Sequence, residues 1–505
     1  DAQRKSEQQY KPAQKIKVSI VVPLYNTPEN FLKEMLDSVE AQTYTDWELC
    51  LADASDEKNG QVKKTVEQYQ AKDKRIKYKK LSKNEGISEN TNRALEMAAG
   101  DYIGLMDHDD LLHPSVLYNV VKTIEEKKAD FIYTDELSFV GTTDRVQSIH
   151  FKPDFSWETF RNNNFICHFT AFKRSLLKET GGFRKEFDGA QDYDMFLRLL
   201  EKAKRVCHIQ KVLYYWRLHA GSVASGVGAK PYTVEAGRKA LEEHLHRENI
   251  IGKAYSSELY GPFYTVDYHI SKNDKNLVVV ESKQARKFAI QEINKSDLKY
   301  DIVVADEFKE SQVSSYDNVI FVADGYERYE DSDRENVGKI DKGVFEEVLQ
   351  CLQPSENVAS GATVYYKKKV YQSGYCYDKG LKNFIMPLYS GVPVKDPAYM
   401  NRLKFRQNVS LLGKGVFAIK SGTLLQYLQK SENKEELFSN EFYFALCLYI
   451  KGKAEKCVVS PLVPLKICSK VKNTSIKKDF IEIRQKDLTY NANMNVFGKY
   501  YFLWK

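Results

Sequence analysis

The chain reads GDYIGLMDHDDLLHP over residues 100–114, where a short apolar segment runs directly into three carboxylates. Asp107, Asp109 and Asp110 fall within four positions, and the mutual repulsion of their charges costs stability. Pro114 follows and favours the start of a helix. Such a cluster needs compensating positive charge, either from a bound cation or from the backbone amides of the following helix.

Segments typical of strands and of helices alternate on either side of this stretch. Apolar runs of strand length, such as KVSIVVPLY at 17–25 and WELCLADAS at 47–55, are followed by segments with helical spacing of their apolar residues. Thr27 and Pro28 predict an N-cap and a first-turn proline for the first of these helices. The alternation predicts an α/β fold with a doubly wound, mostly parallel sheet.

The composition is that of a globular protein with more than one domain. A length of 505 residues exceeds what one hydrophobic core usually supports. Hydrophobic residues at 42% and charged residues at 29% argue against disorder and against a membrane bundle. A net charge of +7 does not indicate a nucleic-acid partner, for which a concentrated basic face is expected.

The cysteine pattern and hydropathy predict a soluble, cytoplasmic protein. The eight cysteines form no Cys-x-x-Cys pair and lie in apolar contexts, which is typical of reduced, buried thiols. No apolar run approaches the roughly 20 residues that span a bilayer, and the first residues lack a signal-peptide core. We predict an N-terminal polar extension, a first α/β domain, a linker, a second α/β domain and a C-terminal tail, at residues 1–15, 16–255, 256–275, 276–470 and 471–505.

Polar residues stand where several predicted strands of the first domain end. Ligands bind to doubly wound sheets at the carboxyl ends of the strands, because loops from several strands converge there. We therefore expect one crevice to be lined by PLYN at 23–26, DAS at 53–55, NEG at 84–86 and DHDD at 107–110.

Three further features fit either a structural or a chemical role. Asp107 and Asp109, one residue apart, can approach one Mg²⁺ that carries phosphates, or they can cap a helix. Asp192 and Asp194 lie near the predicted N-terminus of the helix GAQDYDMFLRLL at 189–200, where they can cap the helix or supply a general base. His219 can be structural or can contact a diphosphate or a metal.

Taken in order, these segments resemble the bacterial family 2 glycosyltransferases, which have a GT-A fold. The resemblance covers roughly residues 16 to 225, and an ordered set of this kind is highly specific. It is carried by VSIVVPLYN, LADAS, NEGISENTN, GDYIGLMDHDDLLHP, GGFRKEFDGAQDYDMFLRL and RLHAGS.

The resemblance implies a role for each matching residue. Asp192 corresponds to the family's general base, with Asp194 as a nearby catalytic partner, and Asp107 and Asp109 correspond to the pair that holds Mg²⁺ or Mn²⁺, with His219 approaching the metal and diphosphate. Asn90 and Thr91 replace the family's usual Ala-Arg, which leaves the arginine contact without a counterpart. The implied nucleotide-sugar contacts are Pro23, Tyr25, Asp53, Asn84, Gly86, Asn92, Asp107 and His108.

The implied reaction is an inverting transfer of a hexosyl or deoxyhexosyl group from a UDP- or dTDP-sugar to a glycan hydroxyl. The acceptor is a glycan or a lipid-linked oligosaccharide in the synthesis of bacterial surface polysaccharide, cell wall or glycoprotein glycan. Association with the inner face of the membrane and homodimerisation stay open. The alternatives are a nucleotidyltransferase and a non-catalytic carbohydrate-binding or scaffolding protein.

The second half of the chain contains an echo of the first. YDNVIFVADGYERY at 316–329 aligns with residues 100–114 so that Ala323 takes the place of Asp107 and Gly325 that of Asp109. In the same way Glu441 falls on Asp192. The copy is also too short for a complete nucleotide-binding half. We therefore predict a degenerate, GT-A-like second domain without catalysis of its own.

Overall fold

A computed structural model describes residues 2–219, 231–330, 342–378, 384–431, 435–453 and 455–468. The chain divides into two compact units, the first formed by residues 1–155 and 164–244 and the second by residues 156–163 and 245–505. The predicted tail at 471–505 lies outside the described residues. Among the helices that are described, none is both long and apolar enough to cross a membrane.

The first unit is built on one nine-stranded sheet. Its strands are β1 Val18–Leu24, β2 Trp47–Asp53, β3 Ile76–Lys80, β4 Tyr102–Leu105, β5 Leu111–Leu112, β6 Phe131–Phe139, β7 Val146–His150, β8 Thr170–Lys173 and β9 Val206–Arg217. The helices up to the end of this unit are α1 Ala2–Gln8, α2 Glu29–Glu40, α3 Gln61–Lys72, α4 Ile87–Leu95, α5 Val116–Lys127, α6 Trp157–Asn162, α7 Leu177–Thr180, α8 Gln191–Lys202 and α9 Pro231–Arg247. Of these, α6 lies in the segment that belongs to the second unit.

The strand order confirms the predicted α/β fold with a parallel-rich sheet. The order is β3-β2-β1-β4-β8-β6-β9-β5, with β7 paired to β6. The first four strands are mutually parallel, β8 runs antiparallel between β4 and β6, and β9 is parallel to β6. Because Val21 of β1 pairs with Leu105 of β4, the loops after these two strands leave the sheet at the same edge.

Burial explains why the first strands and helices form. All residues of β1 and β2 are buried, as expected for parallel strands covered by helices on both faces. The helix α2 buries the stripe Leu32, Met35, Leu36 and Val39. The predicted cap of α2 is wrong, because the helix begins at Glu29 after Pro28 without a side-chain cap, and the Thr27 hydroxyl instead hydrogen-bonds to His108.

The predicted polar extension packs against the first unit. It contains α1, and the carboxylate of Glu7 is buried and accepts hydrogen bonds from the hydroxyls of Thr43 and Ser115. These bonds outweigh the cost of burial and lower the pKa of Glu7. The extension is therefore part of the folded unit.

The second unit contains a second nine-stranded sheet and two small hairpin sheets. The strands are β10 Gly252–Ser256, β11 Tyr264–Tyr268, β12 Lys275–Val280, β13 Lys299–Val304, β14 Asn318–Val322, β15 Tyr326–Arg328, β16 Asn357–Tyr366, β17 Lys369–Gln372, β18 Tyr375–Asp378, β19 Phe384–Pro387, β20 Gln407–Val409, β21 Val416–Lys420 and β22 Lys456–Ile467. The helices are α10 Lys283–Ile293, α11 Val344–Gln350, α12 Ser421–Lys430 and α13 Asn440–Gly452. The segment predicted as a linker, 256–275, instead holds β11, which pairs with β10 and buries alternate residues.

The second sheet repeats the topology of the first. Its order, β13-β12-β14-β21-β16-β22-β15, matches β2-β1-β4-β8-β6-β9-β5 strand for strand, with the same parallel and antiparallel pairings. Even the side pairing of β7 with β6 has a counterpart in β17 with β16. The strand β3 has no equivalent among the described residues, which agrees with the predicted loss of part of the nucleotide-binding half.

In the second unit, the loop after β14 differs from the acidic loop after β4. After β14 come Ala323 and Gly325 where the first unit has Asp107 and Asp109. Between them, the carboxylate of Asp324 accepts hydrogen bonds from the Ser282 hydroxyl and from the amide of Ala285 at the start of α10. A protein carboxylate thus occupies the helix N-terminus, where an anion would otherwise be stabilised.

Candidate active site

The three carboxylates after β4 have three different sets of partners. Asp110 is fully buried, and its two oxygens accept hydrogen bonds from the Tyr214 hydroxyl at 2.5 Å and the Arg217 amide at 2.7 Å. Burial and the charges of Asp107 and Asp109 raise the pKa of Asp110 well above its usual value. Asp110 therefore anchors the loop to β9.

Asp109 forms a pair with His219, one of the predicted metal ligands. The distance from His219 Nε2 to Asp109 Oδ2 is 2.7 Å, which is a hydrogen-bond distance. Arg217 fixes the backbone of the same loop, because its Nε donates to the carbonyl of Asp109 at 2.7 Å. The guanidinium of Arg217 stacks between the rings of Phe31 and Phe139 and reaches Glu34 at 2.5 Å.

Asp107 is the most accessible of the three carboxylates, with a side chain that is 52% exposed. Its described partner is His168, whose Nε2 lies 3.5 Å from Asp107 Oδ2. Burial opposes ionisation of Asp107, but the nearby imidazole of His168 outweighs it and lowers the pKa of Asp107. In the described part of the chain, ligand atoms of Asp107, Asp110 and His168 lie within 4.8 Å of one another.

Asp192 stands in the first turn of α8, near this group. Burial, reinforced by the charge of Asp107, raises the pKa of Asp192 to about 6. A carboxylate with a pKa near the working pH is suited to accept a proton in a transition state. The side chain of Asp192 is intermediate in exposure, so a substrate can reach it.

The structure gives Asp194 a different role from the predicted catalytic partner. It is fully buried, and its carboxylate is held by the guanidinium groups of Arg184 and Arg198, the latter at 2.6 Å. Arg198 in turn donates to the carbonyls of Thr180 and Gly182. Asp194 thus ties α8 to the segment before it, because side chains two positions apart on a helix point to different faces.

The three residues assigned to nucleotide recognition on β1 and β2 differ in accessibility. Tyr25 is exposed and free to stack on a ligand. Pro23 is buried inside β1. Asp53 is also buried, and its carboxylate already accepts hydrogen bonds from the Tyr78 hydroxyl at 2.6 Å and from the amide of Ser55 at 2.8 Å. Of this group, Tyr25 is the residue that can reach a ligand with its side chain without rearrangement.

The segment around α4 is shaped by hydrogen bonds within the protein. The Asn84 side chain accepts from the amide of Gly86, whose φ of 101° is unfavourable for other residues. A Cβ at Gly86 would lie 2.7 Å from the carboxylate of Asp188, which caps α4 through Ser88. Asn92 bonds both backbone groups of Phe183. Asn84, Gly86 and Asn92 therefore fix the backbone around the start of α4 and its contact with the segment before α8.

Residues that the sequence did not single out complete the site. His168 is half-buried between Asp107 and Glu136 and stacks on Tyr214, with ring centroids 4.8 Å apart. Behind it, Lys152 is fully buried and forms an ion pair with Glu136 at 3.0 Å. The one available signal was the pair of charged residues Asp135 and Glu136 at the end of a strand, in TDE, and the prediction placed no role on it.

The donors at this corner fit a hard divalent cation. Asp107 is half exposed, and among the described residues its side chain has a long contact to His168. The predicted ligands Asp109 and His219 lie 2.7 Å from each other, whereas the group whose ligand atoms lie within 4.8 Å of one another is Asp107, Asp110 and His168. Carboxylate oxygens with one imidazole nitrogen are ordinary ligands for Mg²⁺ and Mn²⁺. Asp110 fits less well, because both of its oxygens accept hydrogen bonds from the protein.

Comparisons with known proteins show what the first unit is similar to. Residues 19–181 match the model of glycosyl transferase family 2. A protein from Sinorhizobium fredii, uncharacterized protein y4gI, is 46% identical over 235 residues, which are 46% of this chain and 25% of that protein. The O-antigen biosynthesis protein RfbC of Myxococcus xanthus is 31% identical over 53% of this chain and 21% of its own length.

Another curated relative and one solved structure are also similar to this chain. The hyaluronan synthase of Pasteurella multocida is 30% identical over 46% of this chain and 23% of its own length. The solved structure of S. aureus TarS residues 1–349 in complex with UDP-GlcNAc has 24% identity and a TM-score of 0.39, covering 46% of this chain and 67% of that one. This chain spans about a quarter or less of the length of these three curated relatives. Residues 19–181 of this chain are therefore similar to glycosyl transferase family 2.

Proposed function

We propose that the first unit is an inverting, metal-dependent glycosyltransferase that moves a sugar from a nucleotide-diphosphate donor to a hydroxyl of a glycan acceptor. The observation that supports this most is the pairing of Asp192, whose pKa is raised to about 6 by burial and by Asp107, with the acidic loop that carries Asp107. The proposed proton acceptor and the proposed site for the donor's diphosphate then lie close to each other. The match of residues 19–181 to the model of glycosyl transferase family 2 supports the same reaction class.

In the proposed reaction, Asp192 takes the proton of the acceptor hydroxyl as the new bond forms. The acceptor oxygen attacks the anomeric carbon from the face opposite the diphosphate, the bond from that carbon to the diphosphate oxygen breaks, and the configuration inverts. A divalent cation held by Asp107 and Asp109 with His219 would supply Lewis-acid stabilisation of the leaving diphosphate. Tyr25 would stack on the nucleotide base.

The substrate class is a nucleotide-activated hexose or deoxyhexose, with UDP or dTDP as the nucleotide. Two relatives, an O-antigen biosynthesis protein and a hyaluronan synthase, suggest that the product is a surface polysaccharide. The acceptor is then a growing glycan or a lipid-linked oligosaccharide, used on the cytoplasmic side of the membrane.

The base assignment predicts a specific defect. Asp192→Asn should lower sugar transfer by at least 1,000-fold, since it removes the proton acceptor, while the affinity for the nucleotide diphosphate stays within about twofold. Transfer is measured by release of nucleotide diphosphate with an acceptor glycan, and binding by isothermal titration calorimetry.

The second unit offers a matched control for this experiment. Glu441 stands near the start of α13 at the place that corresponds to Asp192, and it is exposed. Glu441→Gln should transfer sugar at the wild-type rate. Near-normal transfer by Asp192→Asn would refute the base assignment, and loss of transfer by Glu441→Gln would assign catalysis to the second unit.

A further inference from the structure

The carboxylate of Glu136 lies behind the acidic loop and is almost completely buried. It is close to three positively charged or hydrogen-bonding groups, namely Lys152 Nζ at 3.0 Å, His150 Nδ1 at 3.1 Å and the backbone amide of His168 at 3.2 Å. Burial opposes ionisation, but the charge of Lys152 and the bonds from the histidines hold the pKa of Glu136 well below its usual value. A buried, ionised carboxylate with these partners is held in a fixed position.

Lys152 fixes both Glu136 and the segment that carries His168. Its ammonium group is fully buried and donates to Glu136, to the carbonyl of Ile166 at 2.5 Å and to the carbonyl of His168. All three donor positions of the ammonium group are thus used within the protein. The backbone at 166–168 cannot move without breaking these bonds.

The ring of His168 lies between Glu136, Tyr214 and Asp107. Its Nδ1 lies 3.4 Å from Glu136, and its face stacks on Tyr214 with an interplanar angle of 13°. The hydroxyl of Tyr214 is itself bonded to Asp110 and to the amide of Asp107. The remaining nitrogen, Nε2, therefore points to the half-exposed carboxylate of Asp107 at 3.5 Å.

We propose that His168 is a positioning residue for the transfer reaction. Lys152 holds Glu136, Glu136 and Tyr214 hold the imidazole, and the imidazole holds the Asp107 carboxylate in the orientation in which it receives a divalent cation. This rests on the proposed function for the role of Asp107. His168 acts through Asp107 rather than as a metal ligand, because both of its ring nitrogens are directed at protein carboxylates.

Direct binding of Mn²⁺ alone, measured by electron paramagnetic resonance, tests this role without depending on transfer. Groups that orient a metal ligand typically contribute 10- to 100-fold to metal affinity. His168→Ala should therefore weaken Mn²⁺ binding by about 10-fold or more. His168→Gln, which keeps a donor near Asp107, should weaken it less, and Glu136→Gln should act in the same direction as His168→Ala.

His208 provides the matched control. It is a buried histidine that also lies between two carboxylates, with Nε2 at 2.9 Å from Asp135 and Nδ1 at 2.9 Å from Asp154. Within the described residues its ring nitrogens do not contact Asp107. His208→Ala should lose thermal stability by an amount similar to His168→Ala but keep the Mn²⁺ affinity of the wild type.

Three results would overturn the positioning role. The first is that the wild-type protein binds no Mn²⁺, and the second is that His168→Ala binds Mn²⁺ with unchanged affinity. The third is that the wild type shows nitrogen coupling to Mn²⁺ which His168→Gln loses, because His168 would then be a metal ligand. A different pair of results would show that the proposed function is wrong while the positioning role of His168 holds. In that case no nucleotide sugar is turned over by the wild type, while the difference in Mn²⁺ affinity between wild type and His168→Ala persists.

Discussion

Asp107, Asp109 and Asp110 illustrate how three neighbouring carboxylates can be tolerated in a folded protein. Asp110 is buried and hydrogen-bonded to β9, Asp109 lies within hydrogen-bond distance of His219, and Asp107 faces His168. The sequence predicted the crowding but not its partial relief within the protein, since the partners come from distant positions. The carboxylate of Asp107 is half exposed, so it is the one of the three that a ligand can reach.

The raised pKa of Asp192 predicts the pH dependence of transfer. The base must be ionised to accept a proton, and its pKa is raised to about 6 by burial and by Asp107. Activity is therefore full above about pH 7 and is lost as the pH falls through 6, with kcat/KM dropping about tenfold per pH unit below that point. Initial rates between pH 5 and 8 measure this profile.

A cation bound beside Asp107 would cancel part of the charge of Asp107 and so lower the pKa of Asp192. The fall in activity on the acidic side of the pH profile would then occur at lower pH. The profile recorded at low and at saturating Mn²⁺ should therefore differ in that direction. Nucleotide binding over the same range serves as the control and should vary much less. A rate that is flat from pH 5 to 8 at low Mn²⁺ would contradict the assignment of Asp192.

At the scale of elements, the sequence predicted the parallel half of the first sheet well and its remainder poorly. The segments β1 to β4 follow one another along the chain with helices between them, so apolar periodicity was sufficient. The strand β8 inserts antiparallel between β4 and β6, a pairing set by long-range packing that no local pattern encodes. His168 precedes this strand, which is why its contact with Asp107 was not predictable.

Glu48 on β2 allows the energetics of these elements to be tested. Its buried carboxylate accepts hydrogen bonds from Ser19 on β1 and from the amide of Ala99, and it pairs with Lys17 and Lys77. Burial opposes ionisation, but these partners lower the pKa of Glu48 to about 2 from 4.5. A depressed pKa means that the stabilisation is present above pH 4.5 and is lost as the pH falls towards 2.

Glu48→Gln should therefore lower the free energy of unfolding by about 2 kcal/mol at pH 7. The difference from the wild type should shrink below pH 4.5 and disappear towards pH 2, as measured by urea denaturation. Glu96→Gln, which removes an exposed partner of Arg93, should change stability by less than about 0.5 kcal/mol. Equal stability of Glu48→Gln and the wild type at pH 7 would show that the buried contacts contribute nothing.

At the scale of the whole molecule, the chain holds two sheets of the same strand order, and the second unit lacks the carboxylates that correspond to Asp107 and Asp109. The strand order and pairing directions of the second sheet repeat those of the first, and the alignment of 316–329 with 100–114 predicted this from sequence. The assignment of α6 to the second unit was not predicted, because a short helix carries no sequence signal for the sheet against which it packs. Because the second unit lacks both carboxylates, we predict that a chain with the proposed function binds one metal and one nucleotide.

The most direct test of this account is the stoichiometry of Mn²⁺ bound together with UDP or dTDP, measured by equilibrium titration of the full chain. The wild type should bind one metal–nucleotide pair per chain, and the double variant Asp107→Asn, Asp109→Asn should bind none while unfolding at a temperature close to that of the wild type. Unchanged binding by the double variant, or two pairs per wild-type chain, would contradict the assignment of the acidic corner as the single donor site.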